Sequence, residues 1–179
     1  MTRQNQVQSL NLQALAASGE PLVDVMPLQK LERLAQESIG LQPDLMVNWQ
    51  AAAELRVGST GQPDTWLHLE ANTTVPMTCQ RCMGAVQTPL QIDQWYRFVA
   101  SEEIAMAEDD ASEEDLLVMA PQFDLLALLE DELLMALPLV PMHEVCPVAP
   151  LLSAGDLGGD VDEEARPHPF AALAQLKKK

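Results

Sequence analysis

The sequence predicts an α+β domain: an antiparallel sheet of about five strands, open or barrel-like, packed by two main helices, with a short helix at the C-terminus. Three observations carry this. Segments 45–57, 65–77 and 86–99 place apolar residues at alternate positions. Segment 27–39 repeats apolar residues at three and four. Segment 123–141 is the most apolar stretch and the clearest helix. The chain has 179 residues, 47% hydrophobic, enough for one core; with aromatics at 4%, Leu, Ala, Val and Met must fill it. Residues 1–150 read as the domain, 151–168 as a flexible acidic linker, and 169–179 as a docking helix with a basic end.

Taken in order, segment 7–15 alternates imperfectly and suits either a strand or a short helix. Ser18-Gly19-Glu20-Pro21 is a turn or linker, and 22–26 is a short apolar stretch. Leu28, Leu31, Leu34, Ala35 and Ile39 then line one face of an amphipathic helix, with Pro27 suited to its first turn and Gly40 to its exit. In 45–57, Val47, Trp49, Ala51, Ala53, Leu55 and Val57 share one side, with Asn48, Gln50, Glu54 and Arg56 opposite. Residues 58–63 form a turn cluster. Leu67, Leu69, Ala71, Thr73, Val75 and Met77 make the second strand, and Val86, Thr88, Leu90, Ile92, Tyr96 and Phe98 the third. Short links between such runs predict antiparallel pairing.

Residues 101–115 carry eight acids and read as a mobile acidic loop, because that charge opposes compaction. Residues 116–119 suit a short edge strand ended by Pro121. In the following helix Asp124 is the expected N-cap and Pro138 the stop. Leu125, Leu126, Leu129, Leu133, Ala136 and Leu137 form one stripe. Leu128 and Met135 lie away from it, so cover on more than one side is expected. At the C-terminus Pro169 can open a helix with Phe170, Leu173 and Leu176 on one side and Lys177, Lys178 and Lys179 at its end, where the macrodipole favours cations.

Charge narrows the partners. The net charge is -17, and between Phe98 and Ala165 there are eighteen acids and no Lys or Arg. Such a surface repels phosphate backbones and suits either plain solvation or a basic partner. Any RNA contact is therefore expected to be local, through Arg81, Arg97 and the terminal lysines. No run approaches the ~20 apolar residues of a membrane span, and the first residues lead into no signal-like block. The chain reads as cytoplasmic.

The chemistry-bearing residues fall in two groups. Cys79-Gln80-Arg81-Cys82 sits between two strands, with Gly84 two residues on. A turn of this kind can aim two sulfurs at one metal. A redox role is weaker, since no helix follows Cys82. His143-Glu144-Val145-Cys146 lies just past the long helix, so Cys79, Cys82, His143 and Cys146 would make a three-cysteine, one-histidine zinc set if that helix returns the chain to the turn. The alternative is reduced thiols and a surface histidine. The second group is Glu130, Asp131 and Glu132, which fan across roughly half the helix circumference at about 100° per residue. They read as anchors, Glu130 or Glu132 pairing with Arg56, Arg81 or Arg97, rather than as catalytic carboxylates. No cleft histidine, nucleophile or phosphate loop accompanies them, and no enzyme is predicted.

Three ordered motifs carry a resemblance. They are Cys-Gln-Arg-Cys after a strand, Asp-Leu-Leu-Ala-Leu-Leu-Glu-Asp-Glu-Leu-Leu-Met-Ala-Leu-Pro-Leu-Val-Pro-Met-His, and Pro-His-Pro-Phe-Ala-Ala-Leu-Ala-Gln-Leu-Lys-Lys-Lys. Together they resemble the bacterial YceD family, the large ribosomal RNA subunit accumulation proteins. Cys79, Arg81, Cys82, Glu130, Asp131, Glu132, Leu137, Pro138 and Pro141 match its pattern. The resemblance implies a role in synthesis, processing or stability of large-subunit (23S) ribosomal RNA. The partner it implies is the RNA precursor, a basic ribosomal protein, or both. Some relatives carry further C-terminal cysteine pairs that look like a zinc site; this chain has Cys146 alone there. The competing readings are a metal-dependent RNA-processing enzyme and a zinc-stabilised adaptor for a basic ribosomal protein.

Overall fold

The structure, a computed structural model, describes residues 7–58, 61 and 63–148. The predicted linker at 151–168, the docking helix at 169–179 and Lys177, Lys178 and Lys179 lie outside the described residues. In chain order the elements are α1 (Leu12–Ser18), β1 (Leu22–Pro27), a 3-10 turn (Leu28–Lys30), α2 (Glu32–Glu37), β2 (Met46–Val57), β3 (Pro63–Thr78), β4 (Ala85–Val99), α3 (Glu102–Glu108), a second 3-10 turn (Asp109–Ala111), β5 (Asp115–Val118) and α4 (Leu125–Met135). The strands form one open sheet in the order β1-β2-β3-β4-β5.

The α+β class holds, with two corrections to the sheet. It does not close into a barrel, and it is mixed: β1 to β4 pair antiparallel, but β5 runs parallel to β4. A parallel neighbour needs a crossover connection. Residues 101–115, expected to be a loop, supply it through α3 and the second 3-10 turn. Their charge does not prevent folding because Arg97 neutralises part of it. Arg97 Nη2 reaches Glu108 Oε2 at 2.6 Å, Nε lies 3.5 Å from Glu114 Oε1, and Nη1 lies 3.7 Å from Asp64 Oδ2.

The alternating runs become the sheet. Val47, Trp49, Ala51 and Ala53 of β2, Leu67 to Val75 at alternate positions of β3, and Val86, Leu90 and Ile92 of β4 are buried on one face. Leu55 and Val57 keep the same parity but are exposed, because β1 pairs with β2 only as far as Ala51 and leaves the end of β2 as a bare sheet edge. Leu12 and Leu15 of α1, Leu34 of α2, and Leu125, Leu129 and Leu133 of α4 close the inner face in the same cluster.

Of segment 7–15, Leu12 to Leu15 open α1, capped by Asn11 and ended by Gly19 at φ 66°, while Leu10 pairs with Phe123 in an isolated antiparallel bridge. The single helix expected over 27–39 is split into the 3-10 turn and α2, with Leu31 between them at φ -96°, ψ 86°. Asp124 caps α4 as expected, accepting from Ala127 N at 2.9 Å. Of the two residues off the stripe, Leu128 is partly buried and Met135 is exposed. No helix among the described residues is long and apolar enough to cross a membrane.

Candidate functional site

The turn between β3 and β4 is a tight knuckle. Cys79 N donates to Gly84 O at 2.8 Å, and Met83 N donates to Cys79 O at 2.9 Å. The left-handed residue of the turn is Met83, at φ 59°, rather than the glycine beside it. The segment after α4 is laid along this knuckle. Gln80 N donates to the carbonyl of the buried Pro141 at 2.9 Å, fixing where the chain returns.

That return brings His143 and Cys146 to the two knuckle cysteines. The ligand atoms of Cys79, Cys82, His143 and Cys146 all lie within 4.8 Å of one another. Cys79 Sγ stands 3.9 Å from Cys146 Sγ, and Cys82 Sγ stands 3.5 Å from His143 Nδ1. A tetrahedral zinc with Zn–S of about 2.3 Å and Zn–N of about 2.0 Å has ligand-to-ligand edges of roughly 3.5–3.8 Å, so both separations fit. His143 Nε2 lies 2.9 Å from Ala85 O. With the Nε2 proton donated to that carbonyl, Nδ1 keeps its lone pair for a cation, the usual backing of a ligand histidine. Cys79 is fully buried and the other three are partly exposed.

The electrostatics agree with the donor set. Burial alone pushes the Cys79 thiol up. Backbone groups of Cys82, His143 and Arg81, with the His143 ring, outweigh it and bring Cys79 from an ordinary 9.0 to about 5. Burial and the neighbouring Cys82 and Cys79 sulfurs push Cys146 up instead. One thiolate is thus favoured at neutral pH, and a third sulfur is held back by crowding that a cation would relieve. All three cysteines are free of disulfide bonds.

The acids of α4 are anchors, but not to the expected arginines. Glu130 Oε1 accepts from Arg33 N at 2.7 Å and from Leu34 N at 3.3 Å, while Oε2 accepts from Arg33 Nε at 2.9 Å. Asp131 Oδ1 accepts from Arg33 Nη1 at 2.6 Å. Glu132 sits by the buried Tyr96, whose hydroxyl is pushed up by burial first and by that carboxylate second. The predicted partners are engaged elsewhere. Arg97 is buried in its own acidic cluster behind α3. Arg56 pairs with Glu54 and lies over two tryptophans. Arg81, exposed on the knuckle, points an Nη2 at Met142 Sδ, 3.9 Å away. Arg33 was not singled out by the sequence, since its partners are 97 and 98 residues away. A basic residue at the second position of an uncapped helix was the available signal.

The comparisons with known proteins agree with the motifs. The model of the family described as "Large ribosomal RNA subunit accumulation protein YceD" matches residues 67–177. A protein of Haemophilus influenzae bearing that name is 31% identical over 154 residues, covering 84% of this chain and 83% of its own length. No solved structure matches. The knuckle, the long helix and the return segment all fall within the matched residues, and the chain belongs to the YceD family.

Proposed function

We propose that this protein is a cytoplasmic ribosome-biogenesis factor that supports synthesis, processing or stability of large-subunit (23S) ribosomal RNA, acting by binding rather than catalysis. The observation that carries this is its membership of a family whose Haemophilus relative is named for large ribosomal RNA subunit accumulation. The partner is the RNA precursor or a basic ribosomal protein, and the net charge of -17 favours the protein. Arg81 and the terminal lysines are the candidate local contacts to RNA. The deciding measurement is the ratio of large- to small-subunit ribosomal RNA in a strain lacking the protein. A fall in that ratio, restored by the intact gene, is expected, and an unchanged ratio ends the assignment.

The cysteine-histidine cluster supports a structural role within this reading. Cys79, Cys82, His143 and Cys146 would hold one zinc ion, which would tie the return segment to the β3–β4 knuckle. Four protein donors complete a tetrahedral shell and leave no position for a substrate, the arrangement of structural rather than catalytic sites. A metal-dependent nuclease would need an open position. Purified protein with magnesium should therefore leave ribosomal RNA precursor uncut, and specific cleavage would favour the enzyme reading.

A further inference from the structure

Helices α1, α2 and α4 cover one face of the sheet; α3 reaches the other face at Arg97, and beside it that face carries an aromatic cluster that the knuckle and the anchors do not use. Trp66 and His68 of β3 and Trp95 of β4 project there, all partly exposed. His68 stacks flat on Trp95, with centroids 4.3 Å apart and planes 5° from parallel. Trp66 meets Trp95 edge-on at 6.4 Å. The Arg56 guanidinium lies 4.3 Å from the Trp66 centroid and 4.2 Å from that of Trp95. These rings therefore already accept a planar cation on their faces, as the aromatic quadrupole favours.

The charges around the rings have the complementary sign. Glu70 and Asp93 face each other across β3 and β4, next to the His68–Trp95 pair. Glu70 accepts from Gln50 Nε2 at 2.5 Å and Asp93 lies 2.7 Å from His68 Nε2. Among the described residues neither carboxylate meets an arginine or lysine. Arg97, the other cation with this orientation, is already surrounded by acids. Aromatic rings interleaved with carboxylates that meet only His68 and Gln50 repel a phosphate backbone and suit guanidinium and ammonium groups. Outward positions along a strand recur every ~6.8 Å, the same spacing at which an extended peptide presents its alternate side chains.

We propose that the outer face of the sheet, at Trp66, His68 and Trp95 with Glu70 and Asp93, docks an arginine- and lysine-rich segment of a partner protein. This rests on the reading of the protein as a binding factor and names the surface and the chemistry it recognises. The chain's strong negative charge steers such a partner in, and the rings and paired carboxylates fix where it lands.

The test uses the full chain and two dye-labelled probes read by fluorescence anisotropy: a short peptide alternating arginine and serine, and a single-stranded RNA of the same length. The peptide is expected to bind. Trp95→Ala and the double variant Glu70→Gln with Asp93→Asn should each weaken it about tenfold, the scale of one lost cation–π or charge contact. Trp95→Phe should restore most of the binding. Glu102→Gln with Glu103→Gln removes the same charge from α3 and should change it less than about twofold. Circular dichroism and urea midpoints establish which variants fold. If Trp95→Ala does not, the two charge doubles carry the comparison. Equal losses in the two doubles would show general charge attraction and overturn the proposal. Tighter binding of the RNA than of the peptide would overturn it too. Ribosomal RNA levels are not read in this assay, so its failure and the failure of the functional assignment are separate results.

Discussion

Glu130 of α4 caps α2 from outside: its Oε1 accepts from the backbone N–H of Arg33 at 2.7 Å. Leu31, at the N-cap position of α2, provides no side-chain cap of its own. The first N–H groups of a helix lack intrahelical partners, and a carboxylate there meets both those donors and the positive end of the helix dipole. The acid is largely buried, with 13% of its side chain exposed, so water replaces it poorly. Glu130→Ala is predicted to cost about 2 kcal/mol in urea unfolding, the range for a lost charged hydrogen bond and cap. Arg33→Ala should cost clearly less, because that side chain is half exposed and the backbone donors stay capped. Equal losses would mean that the ion pair rather than the cap holds the two helices together.

The turn at Met83 gives a second prediction. Its φ of 59° puts a non-glycine residue in the left-handed region while the residue is 71% exposed. Little packing is lost on truncation there, so backbone preference dominates. Met83→Gly should leave stability unchanged or slightly raised. Met83→Val should lower it by about 1–2 kcal/mol, since a branched Cβ crowds the left-handed backbone. Thermal unfolding of the two variants checks this, and a valine variant as stable as wild type would remove the left-handed turn.

Legibility in the sequence followed how local each cause was. The alternation in β2 and β3 was readable because each strand has one covered and one wet face, so the period survives in the residues themselves. The pairing of Cys79 and Cys82 with His143 and Cys146 was readable as two short-spaced ligand pairs, with only the return of the chain left to the fold. β5 was seen as a strand but not in its direction, since four residues carry no mark of parallel pairing. The acidic stretch read as a loop because its neutralising partner, Arg97, sits on a strand that otherwise alternates apolar residues. Arg33 leaves no local mark for the same reason: it acts through contacts nearly a hundred residues distant. Long-range ion pairs leave no local pattern, whereas burial periods and ligand spacings do.

Arg97 itself supports a third prediction. It is 8% exposed and faces Asp64, Glu108 and Glu114. Removing one partner of such a group leaves like charges buried together, which typically costs about 3–5 kcal/mol. Arg97→Met should lose stability on that scale and should loosen α3 and β5 first, because those elements are held against β4 through it. Hydrogen exchange at the amides of β5 is the measurement. Protection unchanged in β5 would show that strand pairing alone holds the crossover.

The cysteine-histidine cluster yields the last prediction, in metal content and in pH. Protein purified without chelator should carry one zinc per chain. Cys146→Ser and His143→Ala should each lower that content and speed release to a chelator, while the carbonyl of Ala85 keeps the His143 ring in place in the cysteine variant. Zero zinc with all thiols reduced would defeat the site. The metal-free, reduced protein has its own pH signature. Cys79 is shifted down from 9.0 to about 5 in the folded chain. A group whose folded value is depressed stabilises the fold above its unfolded value, and that contribution is lost as pH falls through the folded value. The stability difference between the metal-free wild type and Cys79→Ser should therefore be largest above about pH 9, shrink as the solution is acidified, and level off below about pH 5 at the pH-independent cost of replacing a buried thiol by a hydroxyl. Urea midpoints of the two proteins across that window read it directly. A difference that does not change with pH would mean that Cys79 is a neutral buried thiol and that the knuckle amides do not hold a thiolate.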